Sequence, residues 1–332
     1  MKRTITFLLS LILIGLSFTL LAQTKVGFLM DNYSSDRWLL DEKLFCDEVR
    51  KHGGIPIVEL AFGDPDAQYQ LAQQMLDEGI DVLVIVPTDA AKAADIVKLA
   101  KSKDVPVLAY DRLINYSDVD LYISYDNKKV GKLQANYALE HVPNGKYLLL
   151  NGPETDNNAI LFRQGQLEVL KPFISKGKIE LLDDKVMSQW NELEALLEIE
   201  LFLNSNEEIP DVIIAANDAF ASAVISAIDN HDLKGKIKVI GQDAENQACR
   251  NIALGYQTMT VYKPIKPLAE QAAEAAIKLV NGKKIDDVNA EIDNRYKQVP
   301  SILLEPMVVD INNLKETVIK DGHVSLSSDL EY

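Results

Sequence analysis

Histidine and cysteine are scarce in this 332-residue chain, with four of the first and two of the second. His52, His141, His231 and His323 stand singly, without the HExxH or CxxC spacing that assembles a zinc site, so no metal centre is expected. Positive charge is also short. Thirty-four Lys+Arg against 50 Asp+Glu leave a formal charge of −16, and such a surface repels phosphate backbones and anionic headgroups. A nucleic-acid partner is therefore not expected. There is no G-x-S-x-G nucleophile elbow, and Gly27 stands alone without a dinucleotide-binding G-x-G-x-x-G. No cofactor is expected. Beyond residue 22 no uncharged stretch approaches the ~20 residues that cross a bilayer.

What is present is ample core material. The chain is 47% apolar and 25% charged, and at ~150 residues per domain its length suggests two domains. Residues 1–22 open with Met1-Lys2-Arg3, run uncharged from Ile5 to Leu21 and reach the small Ala22. This reads as a cleaved secretory signal peptide, with an uncleaved anchor as the alternative, and places the mature protein in the periplasm. No Cys lies near the junction, so a lipid anchor is not indicated. Export permits a disulfide, but Cys46 and Cys249 fall in helical patterns in different halves of the chain and read as two small core residues.

From Lys25 onward short apolar runs alternate with amphipathic stretches, the pattern of an α/β fold with parallel sheets covered by helices. Strands are predicted over 25–30, 55–62, 81–87, 105–110, 121–125, 146–150, 179–187, 211–216, 236–240 and 256–262. Helices are predicted over 66–78, 90–103, 128–141, 158–176, 192–204, 219–230 and 265–280, with helical patterns at 40–51 and 245–254. Ten strands are too many for one comfortable open sheet, so the chain divides near Asp126-Asn127 into two similar Rossmann-like lobes. The first takes 25–126 plus about 264–304, the second 127–263 plus about 305–322, and 323–332 is a tail. The stretch 281–297 is polar, 299–310 is apolar, and a short helix is predicted near 313–320. The crossings make hinge strands.

Ligands of open parallel sheets bind beyond the carboxyl ends of the strands. Just past each apolar run stand Asp31 and Arg37-Trp38, Thr88-Asp89, and Asp111-Arg112. The second half adds Asn157-Asn158 and Arg163, Trp190, Asn217-Asp218, Asp243 and Lys263. This set holds both tryptophans and is rich in planar, multidentate hydrogen-bonding groups. A pyranose offers two partly apolar faces and a rim of hydroxyls, so indoles can cover the faces while Asp, Arg, Lys and Asn serve the rim. Singly, each residue has a plain alternative. Asp31, Asp89 and Asp218 can be helix caps, either Trp a core residue, and Arg163 a solvated residue of its helix.

At these residues the chain resembles the periplasmic sugar-binding proteins of ABC transporters with the type I (ribose-binding-like) fold. The likeness is carried by Asp36-Arg37-Trp38, by 109–115 (AYDRLIN), 122–127 (YISYDN), Asp156-Asn157-Asn158-Ala159 with Leu161-Phe162-Arg163, by Gly241-Gln242-Asp243-Ala244, 257–264 (QTMTVYKP) and 317–322 (TVIKDG). Around Trp190 the chain reads VMSQWN, where the family usually has glycine and proline. The stretch 201–208 also diverges. The resemblance implies that Arg37, Arg112, Asn158, Arg163, Asn217, Asp243 and Lys263 hold hydroxyls, and that Trp38 and Trp190 stack on the sugar; Asp111 joins the ligand-binding set from its place just past the fourth strand. It further implies a monomer that closes on one monosaccharide, D-xylose, and delivers it to an ABC permease without turnover. Three competitors remain: a glycoside-acting enzyme using Asp111, Asp218 or Asp243, a transcription regulator on the same core, and a sugar sensor that presents its loaded form to a receptor.

Overall fold

Strands at the middle of a parallel sheet are covered on both faces and read as unbroken apolar runs. The computed structural model describes residues 23–325 apart from 34, 36, 206 and 207, so the expected export signal at 1–22 and the end of the tail at 326–332 lie outside the described residues. Two sheets of this kind form. The first contains β1 (Lys25–Met30), β2 (Ile55–Leu60), β3 (Val82–Ile85), β4 (Val107–Tyr110) and β5 (Leu121–Tyr125), all parallel. The second contains β6 (Gly145–Asn151), β7 (Ile179–Val186), β8 (Val212–Ala215) and β9 (Lys238–Ile240), also parallel, in the order β7-β6-β8-β9. A two-stranded antiparallel ribbon joins β10 (Thr260–Tyr262) to a late strand, β13 (Met307–Val309). Two further late strands, β11 (Ala290–Asp293) and β12 (Gln298–Leu304), extend the first sheet to the order β11-β12-β5-β4-β3-β1-β2.

The helices are α1 (Arg37–Lys51), α2 (Pro65–Asp77), α3 (Ala93–Lys101), α4 (Asn127–His141), α5 (Asn157–Ile174), α6 (Glu192–Ser205), α7 (Asp218–Asn230), α8 (Asn246–Ala253) and α9 (Ile265–Val280). The period-2 geometry of a strand sorts β1 between two cores. Val26, Phe28 and Met30 face α1 and α9, while Leu29 faces α2 and α3. Small residues let α9 lie close to the sheet, with Ala269, Ala272, Ala273 and Ala276 all buried. In the second lobe α4 and α5 cross through a reciprocal glycine pair. A Cβ on Gly131 would stand 1.9 Å from the Phe162 carbonyl oxygen, and one on Gly165 would stand 2.1 Å from that of Lys128. The α/β, two-lobed architecture is the one the alternation predicts. Cys46 and Cys249 are buried free thiols in separate cores.

The chain passes between the lobes three times, at the β5–α4, β10–α9 and β12–β13 junctions. The crossings are tied together, because the Tyr125 hydroxyl donates to the Pro264 carbonyl and the Asp126 N–H donates to Leu304 O at 3.1 Å. Several details differ from the sequence-based expectation. The polar stretch 281–297 contains β11, an edge strand that half-buries only Ala290 and Ile292 and so lacks an apolar run. The run 299–310 is split at Glu305-Pro306, where the chain changes lobes. In place of the helix expected over 313–320 there is a five-residue π-helical turn, Lys315–Ile319.

Candidate functional site

Strand order places the site. In the first sheet the order reverses between β1 and β3, and in the second between β6 and β8, so the loops beyond those strands diverge and leave a crevice. The two crevices face each other. The first contributes Arg37, at the start of α1 and buried. Its Nη2 lies 2.9 Å from Asp111, its Nε 3.2 Å from Asp41 and its Nη1 3.4 Å from Asp243 of the other lobe. Burial alone would weaken the Arg37 charge, but the three carboxylates outweigh it and raise its pKa. Asp41 is fully buried and takes a further hydrogen bond from the Tyr110 hydroxyl.

Asp111 has a left-handed backbone (φ 62°), and the Arg112 N–H reaches back to Tyr110 O at 2.7 Å, the bond of a strained γ-turn. Three donors on the Asp111 carbonyl offset that strain: Ser124 Oγ (2.6 Å), Tyr122 OH (3.2 Å) and Asn158 Nδ2 (3.1 Å). The Asp111 carboxyl is pushed up by burial but held below its ordinary value by Arg37, Lys263 and Arg112 together. Arg112 bonds Asp31 (2.7 Å) within its own lobe and Asp156 (2.9 Å) across the cleft. Both guanidiniums lie over the Trp38 ring, at 4.4 Å and 5.5 Å.

From the second lobe, Asp156 caps α5 by accepting from the Asn158 N–H (2.8 Å) and also receives Trp190 Nε1 (3.1 Å). Burial raises its pKa against the pull of Arg112. One turn along α5 Phe162 enters the wall, with Lys263 Nζ 5.5 Å from its ring centre, while the same Nζ bonds Asp243 at 2.9 Å. Asn217 uses its carboxamide oxygen to cap α7 at Phe220 N (2.9 Å), which leaves its NH2 for the cavity. The indole of Trp190 packs on Phe220 (5.4 Å) over Gly152, where a Cβ would stand 2.3 Å from the ring.

The lobes thereby leave a cavity of about 50 Å³, room for a few water-sized groups and tighter than a whole pentose requires, and a further cavity of about 230 Å³ shares its Arg112, Asp156 and Trp190 walls. Arg37, Trp38, Asp111, Arg112, Asn158, Trp190, Asn217, Asp243 and Lys263 all line the smaller one. Arg163 does not. Five residues beyond Asn158, it is rotated about 140° around the helix axis, and its guanidinium pairs with Asp184 (2.9 and 2.6 Å) beside a separate groove. Five lining residues lie outside the set that the sequence singles out: Ser35, Asp156, Phe162, Ala219 and Gln242. Asp156 carries a readable signal, since an acidic residue two positions before a binding Asn at a helix start shares its site. Asp218, a candidate carboxylate catalyst by sequence, is not among the lining residues. It is fully buried, bonded to Thr260 Oγ1 (2.8 Å), Gln257 Nε2 (2.8 Å) and Glu245 N (3.0 Å), and its pKa is raised chiefly by burial. Among the described residues, each carboxylate that lines the cavity, Asp111, Asp156 and Asp243, is paired with an arginine and can accept from hydroxyls.

Comparison with known proteins points the same way. Residues 26–284 match the model of a periplasmic binding protein domain. The chain is 43% identical to the D-xylose-binding periplasmic protein of Haemophilus influenzae, over 90% of each. It is 31% identical to the multiple sugar-binding periplasmic receptor ChvE of Rhizobium radiobacter, again over 90% of each. Among solved structures it superposes on a carbohydrate transporter solute-binding protein from Chloroflexus aurantiacus in complex with D-glucose. The TM-score is 0.85 at 28% identity, covering 92% of this chain and 98% of that one. By fold, by full-length similarity and by the matched domain, the chain belongs to the periplasmic binding protein family.

Proposed function

We propose that this protein binds one molecule of D-xylose in the cavity between its lobes, closes on it by rotation about the three crossings, and delivers it to an ABC permease. The rotating units are residues 25–126 plus about 264–304 and residues 127–263 plus about 305–322. The observation that carries the reading is the double-walled cavity, in which Arg37, Trp38, Asp111 and Arg112 of one lobe meet Asn158, Trp190, Asn217, Asp243 and Lys263 of the other. A sugar that contacts both walls favours the state in which they are together, and hinge closure around a ligand is the motion by which periplasmic binding proteins as a class respond. Charged hydrogen bonds of ~1.5–3 kcal/mol each, with a stacked ring face, suffice for micromolar or tighter affinity. The protein performs no chemistry on the sugar and acts as an exported monomer after removal of residues 1–22. Similarity to a multiple sugar-binding periplasmic receptor favours a second use of the same loaded form, presentation to a sensor.

Titration calorimetry against a panel of pentoses and hexoses tests the assignment. D-xylose is expected to bind tightest, with a 1:1 stoichiometry. A hexose preferred by tenfold or more refutes the ligand, and release of the aryl group from an aryl xyloside refutes a pure binder.

A further inference from the structure

Behind the sugar cavity lies another of about 180 Å³, to which Arg37 and Leu40 contribute from one lobe and Asp243, Ala244 and His323 from the other. The contact between Arg37 and Asp243 is common to both cavities. Asp243 (φ 104°) and Ala244 (φ 56°) are consecutive non-glycine residues with left-handed backbone, a conformation that persists only where the surroundings over-determine it. The restraints are identifiable. Asp243 N–H donates to Val261 O (2.9 Å) and Ala244 N–H to Thr260 Oγ1 (3.1 Å). The Ala244 carbonyl has His323 Nε2 at 3.1 Å, and since a carbonyl can only accept, this nitrogen carries the proton.

His323 is itself fixed. Its N–H donates to Val318 O (2.9 Å), its ring packs on Tyr262 (4.8 Å), and the adjoining Val324 is buried in a small core with Tyr262, Val309 and Leu314. We infer that His323 is a positioning residue for sugar binding: from the C-terminal segment it fixes the Ala244 carbonyl, and thereby aims the Asp243 carboxylate that meets Lys263 and Arg37 in the cavity. This rests on reading that cavity as a sugar site.

The groups facing or flanking the imidazole are Arg37 from α1, Asp243 and Glu245 ahead of α8, Cys249 within α8, Tyr262 from β10, and Asp321 of its own segment. Burial holds the imidazole below its ordinary value; the backbone of Ala244 and Asp243 opposes that shift and Arg37 adds to it. Arg37 is the one of these groups that stands on the opposite lobe, so closure adds its charge to what disfavours a protonated ring. Closure thereby favours the neutral ring, and this contribution to affinity is present at neutral pH and lost as pH falls through the lowered value.

Calorimetry with D-xylose on the full chain at pH 7.5 and 5.5 tests this. His323→Ala is expected to weaken binding about tenfold at pH 7.5. His323→Gln, which keeps a donor toward Ala244 without titrating, should stay within threefold of wild type at pH 7.5 and hold that affinity at pH 5.5, where wild type loses threefold or more. His323→Ala within twofold of wild type, or His323→Gln following the wild-type pH curve, overturns the inference. Should His323→Ala lower Tm so far that it is unfolded, the glutamine curve decides alone. Wild type that binds no monosaccharide overturns the functional reading and this inference with it, whereas wild type that binds beside two unaffected variants overturns only the inference.

Discussion

The two walls of the cavity are held on different terms. In the first lobe the guanidiniums of Arg37 and Arg112 are clamped from behind by carboxylates of their own lobe, Asp41, Asp111 and Asp31, so that wall is set before the lobes meet. In the second lobe Asp156 and Asp243 complete their pairing by reaching Arg112 and Arg37 across the cleft, at 2.9 and 3.4 Å. Trp190 there depends on the absence of a side chain at position 152. Of the lining charges the first wall carries two cations and one anion and the second two anions and one cation, so the closed arrangement is electrostatically complementary. In the proposed closure the pre-set wall would fix geometry and the second wall supply the response to a ligand.

The comparison can be broken most severely at Arg112. Arg112→Ala removes one charged hydrogen-bond donor from the cavity and leaves Asp31 and Asp156 without their partner, so sugar affinity should fall about 10- to 100-fold by calorimetry; a change within threefold refutes its place in the site. On the opposite wall, Gly152→Ala forces the Trp190 ring to move and should cost about tenfold in affinity, with a shift in tryptophan emission as the independent signature. Unchanged emission and unchanged affinity would mean that the ring is not held as described.

Thermal unfolding without sugar sharpens the contrast between the paired carboxylates. Asp111 is held below the ordinary carboxyl value, so its ionised form adds stability that is present above about pH 4 and lost as pH falls through the lower folded value. Asp111→Asn should therefore lower Tm at pH 7 by roughly 5 °C. Burial raises Asp156 instead, so the fold favours its neutral form and the ionised form gives up stability as pH rises through that value. Asp156→Asn should cost less than half as much in Tm, and equal losses would show that the walls do not differ in this way. The smallest effect belongs to Arg163→Ala, which should leave affinity within twofold because that side chain serves Asp184.

Much of this is legible in the residues. The unbroken apolar runs of β3, β4 and β8 announce a parallel sheet, and the residues just beyond the strand ends supply seven polar side chains and two tryptophans to the cavity lining. What stays hidden has physical causes. Asp156 is signalled only by its place two residues before Asn158 at a helix start, and its ion pair appears only once Arg112 is brought 2.9 Å away. Arg163 stands five residues beyond Asn158 and so falls on another face of α5, beside Asp184. Asp41 offers a quieter clue, since its spacing of four from Arg37 puts both on one face. Edge strand β11 escapes because alternation over four residues with charged outward positions does not stand out from a polar loop.

The interlocked glycines between α4 and α5 have a mechanical consequence. The first of these helices springs directly from a junction where the chain changes lobes, and the second carries Asn158 and Phe162 into the cavity. With their backbones touching, the pair would act as a crank in the proposed closure, delivering turning at the pivot to the cavity-facing end with little slack. A single methyl group wedged at that crossing, within one turn of the lining residue Phe162, would loosen the linkage between the proposed swinging and gripping.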